Sequence, residues 1–223
     1  MTSTPGYETI VGIGSLLGEK SSRMTFPHLI NFRLGRLKGF RRVFEHPVTD
    51  WFETGIANRE TLECSGLTAE RIEDGQTDEG FLVTVFEIPV SDLDAFYQRE
   101  WEFEILKVPV TDMNGVSTEG LLCARASDKM LQDKWGMDEW HKKVTHRGID
   151  TIWHWQGEIW PCRPYLRHCV LAARRLGPQV EADFLNHTYL YDRKTRLREY
   201  VERNAGLLDE EPIALYAERY GGG

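Results

Sequence analysis

The chain has 223 residues, a formal net charge of −8 and 41% apolar residues. This length and composition suit one large domain, or one domain with an extension, and provide enough apolar residues for a full core. The negative charge argues against a nucleic-acid-binding protein, which normally carries a basic face. No apolar run is long enough to span a membrane, and residues 1–10 lack the pattern of a signal peptide. We therefore expect a cytoplasmic protein with no nucleic-acid and no membrane partner.

Short apolar runs predict a set of strands in the first 125 residues. The predicted strands lie at 8–14, 39–45, 81–88, 103–111 and 119–125, with a weaker candidate at 52–58. Asn114-Gly115 marks a hairpin turn between the last two strands. Helices are predicted near 27–36, 91–100 and 128–146. Short strands with few helices between them predict an α+β fold, in which helices surround a small mixed β-barrel-like sheet.

The last third of the chain has a helical pattern. Its longest predicted helix begins near Pro164, ends at Gly177 and carries one apolar stripe. We interpret residues 1–135 as one domain and residues 136–223 as a helical C-terminal extension packed on it. In the alternative interpretation, residues 136–206 form a surface for a protein partner or for self-association.

A glycine-rich segment, VGIGSLL at residues 11–17, follows the first predicted strand. Gly12, Gly14 and Gly18 surround Ser15, and glycines allow the main chain to approach a ligand closely. Such a turn can present backbone N–H groups to an anionic or carbonyl oxygen. The segment therefore predicts a binding loop for a small molecule.

Glu100 lies where a carboxylate is unfavourable. The segment 91–100 has a capping signal at its start and an apolar stripe that includes Glu100, which predicts a helix ending at this residue. The carbonyl dipoles at a helix C-terminus, together with Trp101 and Glu102, favour the neutral form of an acid. Such a carboxylate is a good base as long as it is ionised at the working pH. With the glycine-rich loop, Glu100 indicates a small-molecule site that moves protons.

Glu102 and Glu104 follow in the next predicted strand. They alternate with Trp101 and Phe103, so we expect them to share a solvent-facing side of that strand. Both should therefore matter less than Glu100, and Glu102→Gln should leave most of the activity intact.

The cysteine and histidine spacings favour neither metal nor thiol chemistry. The chain has no Cys-x-x-Cys pair and no common zinc-binding spacing; its four cysteines are Cys64, Cys123, Cys162 and Cys169. A thiol nucleophile would need an aligned histidine base, and no Cys–His signature is present. We predict free thiols and no metal site.

The order of the motifs resembles the gamma-glutamylcyclotransferase family, including its AIG2-like and ChaC-like branches. The resemblance covers roughly residues 7–125 and consists of the glycine-rich loop, the segment 37–44, Gly80-Phe81 and Arg99-Glu100. In that family a Tyr-Gly-Ser-Asn/Leu loop is followed by a Gly-Tyr-Arg-x-x-Phe strand and by a catalytic glutamate after a helix. This chain departs from the pattern at the loop tyrosine, where Ile13 stands.

The resemblance implies a substrate-binding loop formed by Ile13, Gly14, Ser15 and Leu16, and a catalytic Glu100. It implies an enzyme that releases 5-oxoproline from a small gamma-glutamyl substrate by intramolecular amine attack, with no cofactor. The resemblance does not identify the leaving amine, for which the candidates are an amino acid, the Cys-Gly of glutathione and a peptide lysine.

Two alternatives remain at the level of the sequence. The first is a non-catalytic relative that acts as a binding or scaffold protein through its helical last third. The second is an acyltransferase, or another amide-cleaving enzyme, that uses the same site on a different acyl group.

Overall fold

The computed structural model describes residues 4–73, 79–212 and 214–221. Within these ranges the strands are β1 (Tyr7–Gly12), β2 (Ile30–Leu37), β3 (Phe40–Pro47), β4 (Glu63–Arg71), β5 (Phe81–Pro89), β6 (Glu104–Asp112), β7 (Ser117–Ala124), β8 (Trp160–Pro161) and β9 (Thr188–Tyr189). The α-helices are α1 (Glu19–Thr25), α2 (Asp50–Thr54), α3 (Leu93–Arg99), α4 (Asp128–Trp135), α5 (Met137–Lys143), α6 (Arg163–Arg175), α7 (Pro178–Asn186) and α8 (Leu197–Arg203). In the part of the chain described, no helix has the length and apolar character needed to cross a membrane.

Five strands close into a barrel. The strands follow the order β1-β5-β2-β6-β7, and a parallel pairing of β1 with β7, through Ile10↔Leu121 and Val11↔Leu122, completes the ring. Inward-facing apolar side chains fill the interior; they include Val11, Leu37, Phe81, Val83, Val85, Val108 and Leu122. The predicted α+β fold with a small mixed barrel is therefore confirmed.

The sheet continues beyond the barrel through β4, β3 and β9, and β8 pairs with β4. β8 and β9 come from the last third of the chain, so residues after 135 take part in the sheet as well as in helices. The apolar side chains of α6 and α7 pack on the sheet against Phe44, Leu67 and Leu82. This packing brings α6 beneath the loop that follows β1. The division of the chain into two parts at residue 135 remains a prediction, and so does the protein-binding surface at residues 136–206.

Two predicted elements are wrong. Residues 27–36 were predicted as a helix, but most of this segment belongs to β2. The pairing of β2 with β5 shifts between Ile30 and Arg33, and Asn31 has a φ of 54°, so the local irregularity breaks the two-residue alternation of the strand. The weak strand at 52–58 is wrong as well, because residues Asp50–Thr54 form α2.

Candidate active site

A cavity of about 450 Å³ lies beside the loop that follows β1. Its walls come from distant parts of the chain: the loop itself, the end of β3, α2, the end of α3, the first turn of α6 and the last described residues. The lining mixes aromatic rings with polar groups; its acidic, basic and histidine members are His46, Asp50, Glu53, Arg99, Glu100, Glu102, Arg147 and Arg219. This combination of a concave apolar surface with converging polar groups is typical of small-molecule sites.

The loop after β1 is held by close packing on both sides. A Cβ at Gly12 would lie 2.6 Å from the carbonyl oxygen of Leu16, and that oxygen accepts a hydrogen bond from the Thr84 hydroxyl at 2.8 Å. A Cβ at Gly14 would lie 2.5 Å from the hydroxyl oxygen of Tyr165. Glycine is therefore required at Gly12, where a Cβ would meet backbone atoms, and a side chain at Gly14 would displace either the loop or Tyr165.

The loop leaves backbone donors unused. The N–H groups of Leu17 and Gly18 bond to the carbonyls of Gly14 and Ser15. The N–H groups of Gly14, Ser15 and Leu16 have no acceptor among the residues that the structure describes. They are the kind of donor that can stabilise an oxyanion.

Glu100 ends α3 and lines the same cavity. Its backbone N–H bonds to the carbonyl of Phe96, which fixes the residue at the helix terminus. The side chain is 11% exposed, and its Oε1 lies 2.8 Å from Nη1 of Arg99. Nη2 of the same guanidinium donates to the Ser15 hydroxyl at 3.3 Å. Arg99 therefore connects Glu100 to the glycine-rich loop.

The structure brings all the predicted site residues to one cavity. Gly14, Ser15, Leu16 and Glu100 line it, and so does Ile13, whose side chain also packs into the barrel core. The catalytic role of Glu100 and the binding role of the loop stay predictions.

Glu102 is not on the surface, and the expectation that it faces solvent is wrong. β6 begins at Glu104, so Glu102 belongs to the turn between α3 and β6 and does not follow the alternation of that strand. The residue is 5% exposed, and its Oε1 accepts hydrogen bonds from the backbone N–H and the hydroxyl of Thr49, each at 3.1 Å. It lines the cavity together with Glu100.

Burial raises the pKa of Glu102 to about 8. The hydrogen bonds from Thr49 oppose this shift, while the negative charges of Asp50 and Glu100 add to it. Glu102 is therefore a carboxylic acid at neutral pH.

His46, at the end of β3, lies next to Glu102 and is also uncharged. Burial, together with the positive charge of Arg125, lowers its pKa to about 3. Its Nε2 lies 3.8 Å from Oε2 of Glu102, and its ring stacks on Trp153 with the centroids 4.3 Å apart. Because both partners are neutral, the contact between His46 and Glu102 is not an ion pair.

One side of the cavity comes from the last third of the chain, and the sequence patterns do not reveal it. Tyr165 lies on the apolar stripe of α6, so it looks like a core residue in the sequence. Tyr220 is 3% exposed and packs edge-on to Tyr165, with the ring centroids 6.2 Å apart. The ring of Tyr220 also packs edge-on to the buried His168, with the ring centroids 5.6 Å apart. Burial lowers the pKa of His168 to about 4.

The opposite side carries a charged cluster. Arg147 forms ion pairs with Asp50 and with Glu53, the latter at 2.9 Å, and donates to the Thr49 hydroxyl at 3.0 Å. Both acids are more than half exposed, whereas Arg147 is 16% exposed. Arg147 therefore holds α2 in place next to Oε1 of Glu102, the oxygen that accepts the hydrogen bonds from Thr49.

Metal-binding geometry is absent from the described part of the chain, where no group of three or more histidine, cysteine or acidic side chains could hold an ion. The four cysteines are buried and unpaired. Cys123 lines the cavity, and burial followed by the charge of Glu100 raises the pKa of its thiol well above the ordinary value.

No family model matches this chain, and no curated protein matches it. Among solved structures it is similar to an uncharacterized protein from Homo sapiens, with 15% identity, a TM-score of 0.39, and coverage of 69% of this chain and 94% of the other. A structure titled gamma-glutamyl cyclotransferase has 13% identity and a TM-score of 0.39, with 69% and 93% covered. The protein YkqA from Bacillus subtilis has 17% identity and a TM-score of 0.45, with 79% and 52% covered. Similarity at this level says nothing about the chemistry of the cavity.

Proposed function

We propose that this protein is a gamma-glutamylcyclotransferase-like enzyme that releases 5-oxoproline from a gamma-glutamyl amine or peptide, with Glu100 as general acid and base. One observation carries the proposal: Glu100 and the loop of residues 13–16 line one cavity, and Arg99 contacts both. An acid–base group and free backbone donors within one small cavity are what an intramolecular acyl transfer requires.

In this mechanism the glutamyl part of the substrate lies against Gly14, Ser15 and Leu16. Glu100 takes a proton from the alpha-ammonium group, and the freed amine attacks the gamma-carbonyl carbon of the same molecule. The N–H groups of the loop stabilise the oxyanion of the tetrahedral intermediate. Glu100 then returns its proton to the leaving amine, the ring nitrogen releases its surplus proton, which the departing amine takes up as it becomes an ammonium ion, and 5-oxoproline remains.

The reaction needs an ionised Glu100 at the start, and the guanidinium of Arg99 lies 2.8 Å from its Oε1. It needs no cofactor in this proposal, because the nucleophile is part of the substrate and proximity supplies much of the rate.

The test is release of 5-oxoproline from a panel of gamma-glutamyl amines by the wild-type protein and by Glu100→Gln. The variant keeps the size of the side chain but cannot accept a proton, so turnover should fall by about 10²–10⁴-fold or more. Glu104→Gln, a nearby acid that does not line the cavity, is the matched control and should retain wild-type turnover. A Glu100→Gln protein that melts normally and turns over at the wild-type rate would remove Glu100 from the mechanism.

The same panel separates the alternatives. A wild-type protein that is inert towards every gamma-glutamyl amine would favour the binding or scaffold function. Turnover of amides with other acyl groups, without 5-oxoproline, would favour an acyltransferase or another amide-cleaving enzyme.

A further inference from the structure

The proposed reaction moves more protons than one carboxylate can hold. The alpha-ammonium nitrogen begins with three N–H bonds and ends, as the lactam nitrogen, with one. The leaving nitrogen gains both of the protons that are lost and departs as an ammonium ion. Since Glu100 stores one proton at a time, a second carrier that starts in the protonated form would complete the transfer. This inference rests on the function proposed above.

Glu102 has the position and the surroundings of such a carrier. Its Oε1 is occupied by the two hydrogen bonds from Thr49, whereas its Oε2 accepts none from the residues that the structure describes. No lysine or arginine in the described ranges forms an ion pair with it. Its carboxyl group lines the same cavity as Glu100, which does have an arginine partner.

The groups that face Glu102 come from three elements. β3 supplies His46, which burial and the charge of Arg125 keep neutral. The start of α2 supplies Asp50, and the end of α3 supplies Glu100, and both are negative charges that oppose ionisation of Glu102. The fixed positive charge on this side belongs to Arg147, which is paired with Asp50 and Glu53. Burial opposes the ionisation of Glu102 most, and the negative charges of Asp50 and Glu100 add to this effect, so the proton stays on Glu102.

The backbone at Glu102 is fixed as well. Its carbonyl oxygen accepts a hydrogen bond from the indole N–H of Trp153 at 2.8 Å. Trp153 stacks on His46, and Phe103 packs edge-on to the same imidazole at 5.2 Å. These contacts fix the backbone of Glu102 and the imidazole beside it, and the two hydrogen bonds from Thr49 orient the carboxyl group.

We propose that Glu102 is the second acid–base group of this site and protonates the leaving nitrogen. Glu100 takes the first proton from the alpha-ammonium group, and the amine adds to the gamma-carbonyl. As the bond between the gamma-carbon and the leaving nitrogen breaks, Glu102 gives its proton to that nitrogen. The lactam nitrogen then gives its surplus proton to the Glu102 carboxylate, and Glu100 passes its own to the departing amine. Both side chains return to their starting forms.

The experiment compares two leaving groups in wild type, Glu102→Gln and Glu100→Gln. One substrate is a gamma-glutamyl alkylamide, whose amine is strongly basic and must be protonated as it leaves. The other is a gamma-glutamyl nitroanilide, whose amine is weakly basic and leaves without a full proton transfer. For Glu102→Gln we expect kcat to fall by about 10²–10⁴-fold on the alkylamide and by less than about tenfold on the nitroanilide. Glu100→Gln should lose both activities.

The pH profile gives a second readout. In the wild type, kcat for the alkylamide should fall as the pH rises through about 8, where Glu102 loses its proton. The nitroanilide should show no such fall, and neither should the residual activity of Glu102→Gln. Glu104→Gln should match the wild type in all four measurements.

Two results would refute the role of Glu102 and leave the proposed function of the protein intact. The first is an active wild type whose Glu102→Gln variant loses both amides equally, since this would mean that Glu102 only supports the fold or binding. The second is an alkaline fall that persists in Glu102→Gln. A wild type inert to both amides would instead refute the proposed function, and the role of Glu102 with it.

Discussion

Glu102→Gln should stabilise the protein at neutral pH, in contrast to most substitutions of a buried residue. In the folded chain the carboxyl group has a pKa of about 8, against 4.5 when unperturbed. Between these two values the unfolded chain releases the proton and the folded chain keeps it. The free energy of unfolding of the wild type therefore falls as the pH rises, whereas glutamine has no proton to lose.

The size of the effect follows from the difference in pKa. Each pH unit in this interval lowers the free energy of unfolding of the wild type by about 1.4 kcal/mol. At pH 7 the wild type should therefore be about 3 kcal/mol less stable than the variant. At pH 4 both side chains are neutral in both states, and the two proteins should be equally stable. The glutamine oxygen can still accept the hydrogen bonds from Thr49, so the fold should be unchanged. For a chain of this length the expected rise in Tm at pH 7 is about 6–10 °C.

The assay is urea unfolding of the wild type, Glu102→Gln and Glu104→Gln at pH 4, 5, 6 and 7, with the free energies taken by linear extrapolation. Glu104, on a partly exposed strand, serves as the control and should show no pH-dependent difference from the wild type. A Glu102→Gln protein that is less stable than the wild type at pH 7 would refute the reasoning. So would a difference that stays constant from pH 4 to 7, because Glu102 would then be ionised in the folded chain. This test needs no substrate and no assumption about the activity.

Three further predictions concern other walls of the cavity. Gly14→Ala should reduce turnover by at least about tenfold, because its Cβ would lie 2.5 Å from the Tyr165 hydroxyl oxygen; adding Tyr165→Phe removes that oxygen and should recover part of the loss in a steady-state assay. Cys123→Ser should keep turnover within about threefold of the wild type at pH 7.5, since a thiol with a raised pKa is a poor nucleophile; a complete loss would revive the thiol mechanism. Tyr220→Ala should raise KM about tenfold with a smaller change in kcat, because it removes the ring that packs on Tyr165; an unchanged KM would show that this wall does not contact the substrate.

The strands of the barrel could be predicted where a short apolar run lies close to turn residues. β5, β6 and β7 contain such runs, and the hairpin at Asn114-Gly115 joins the last two as expected. β2 was predicted as a helix because Ile30, Leu34 and Leu37 also fit a helical spacing, and the register shift near Asn31 leaves no signal in the sequence. β4 could not be predicted for another reason: its first residues are small or polar, so the segment has no apolar period to recognise.

The candidate site could be predicted only where a single segment carries its parts. The glycine-rich loop and Glu100 each stand out within about ten residues of sequence. Tyr165 and Tyr220 reach the cavity through packing between segments far apart in the chain, and no local pattern contains that information. Glu102 was assigned to the solvent side because the strand alternation was extended to it, whereas β6 begins only at Glu104 and Glu102 lies in the turn before that strand.

Glu100 and Glu102 have different partners, although only Trp101 separates them in the chain. Oε1 of Glu100 lies 2.8 Å from Nη1 of Arg99. Glu102 faces Thr49 and a neutral imidazole, which can bind a carboxyl group but cannot balance a full negative charge. Ionising Glu102 would add a negative charge beside Asp50 and Glu100, so these two carboxylates help to keep it protonated. A base and an acid that coexist at the same pH are what a reaction with two proton transfers needs, and neighbouring carboxyl groups in unlike environments are a general way to obtain them.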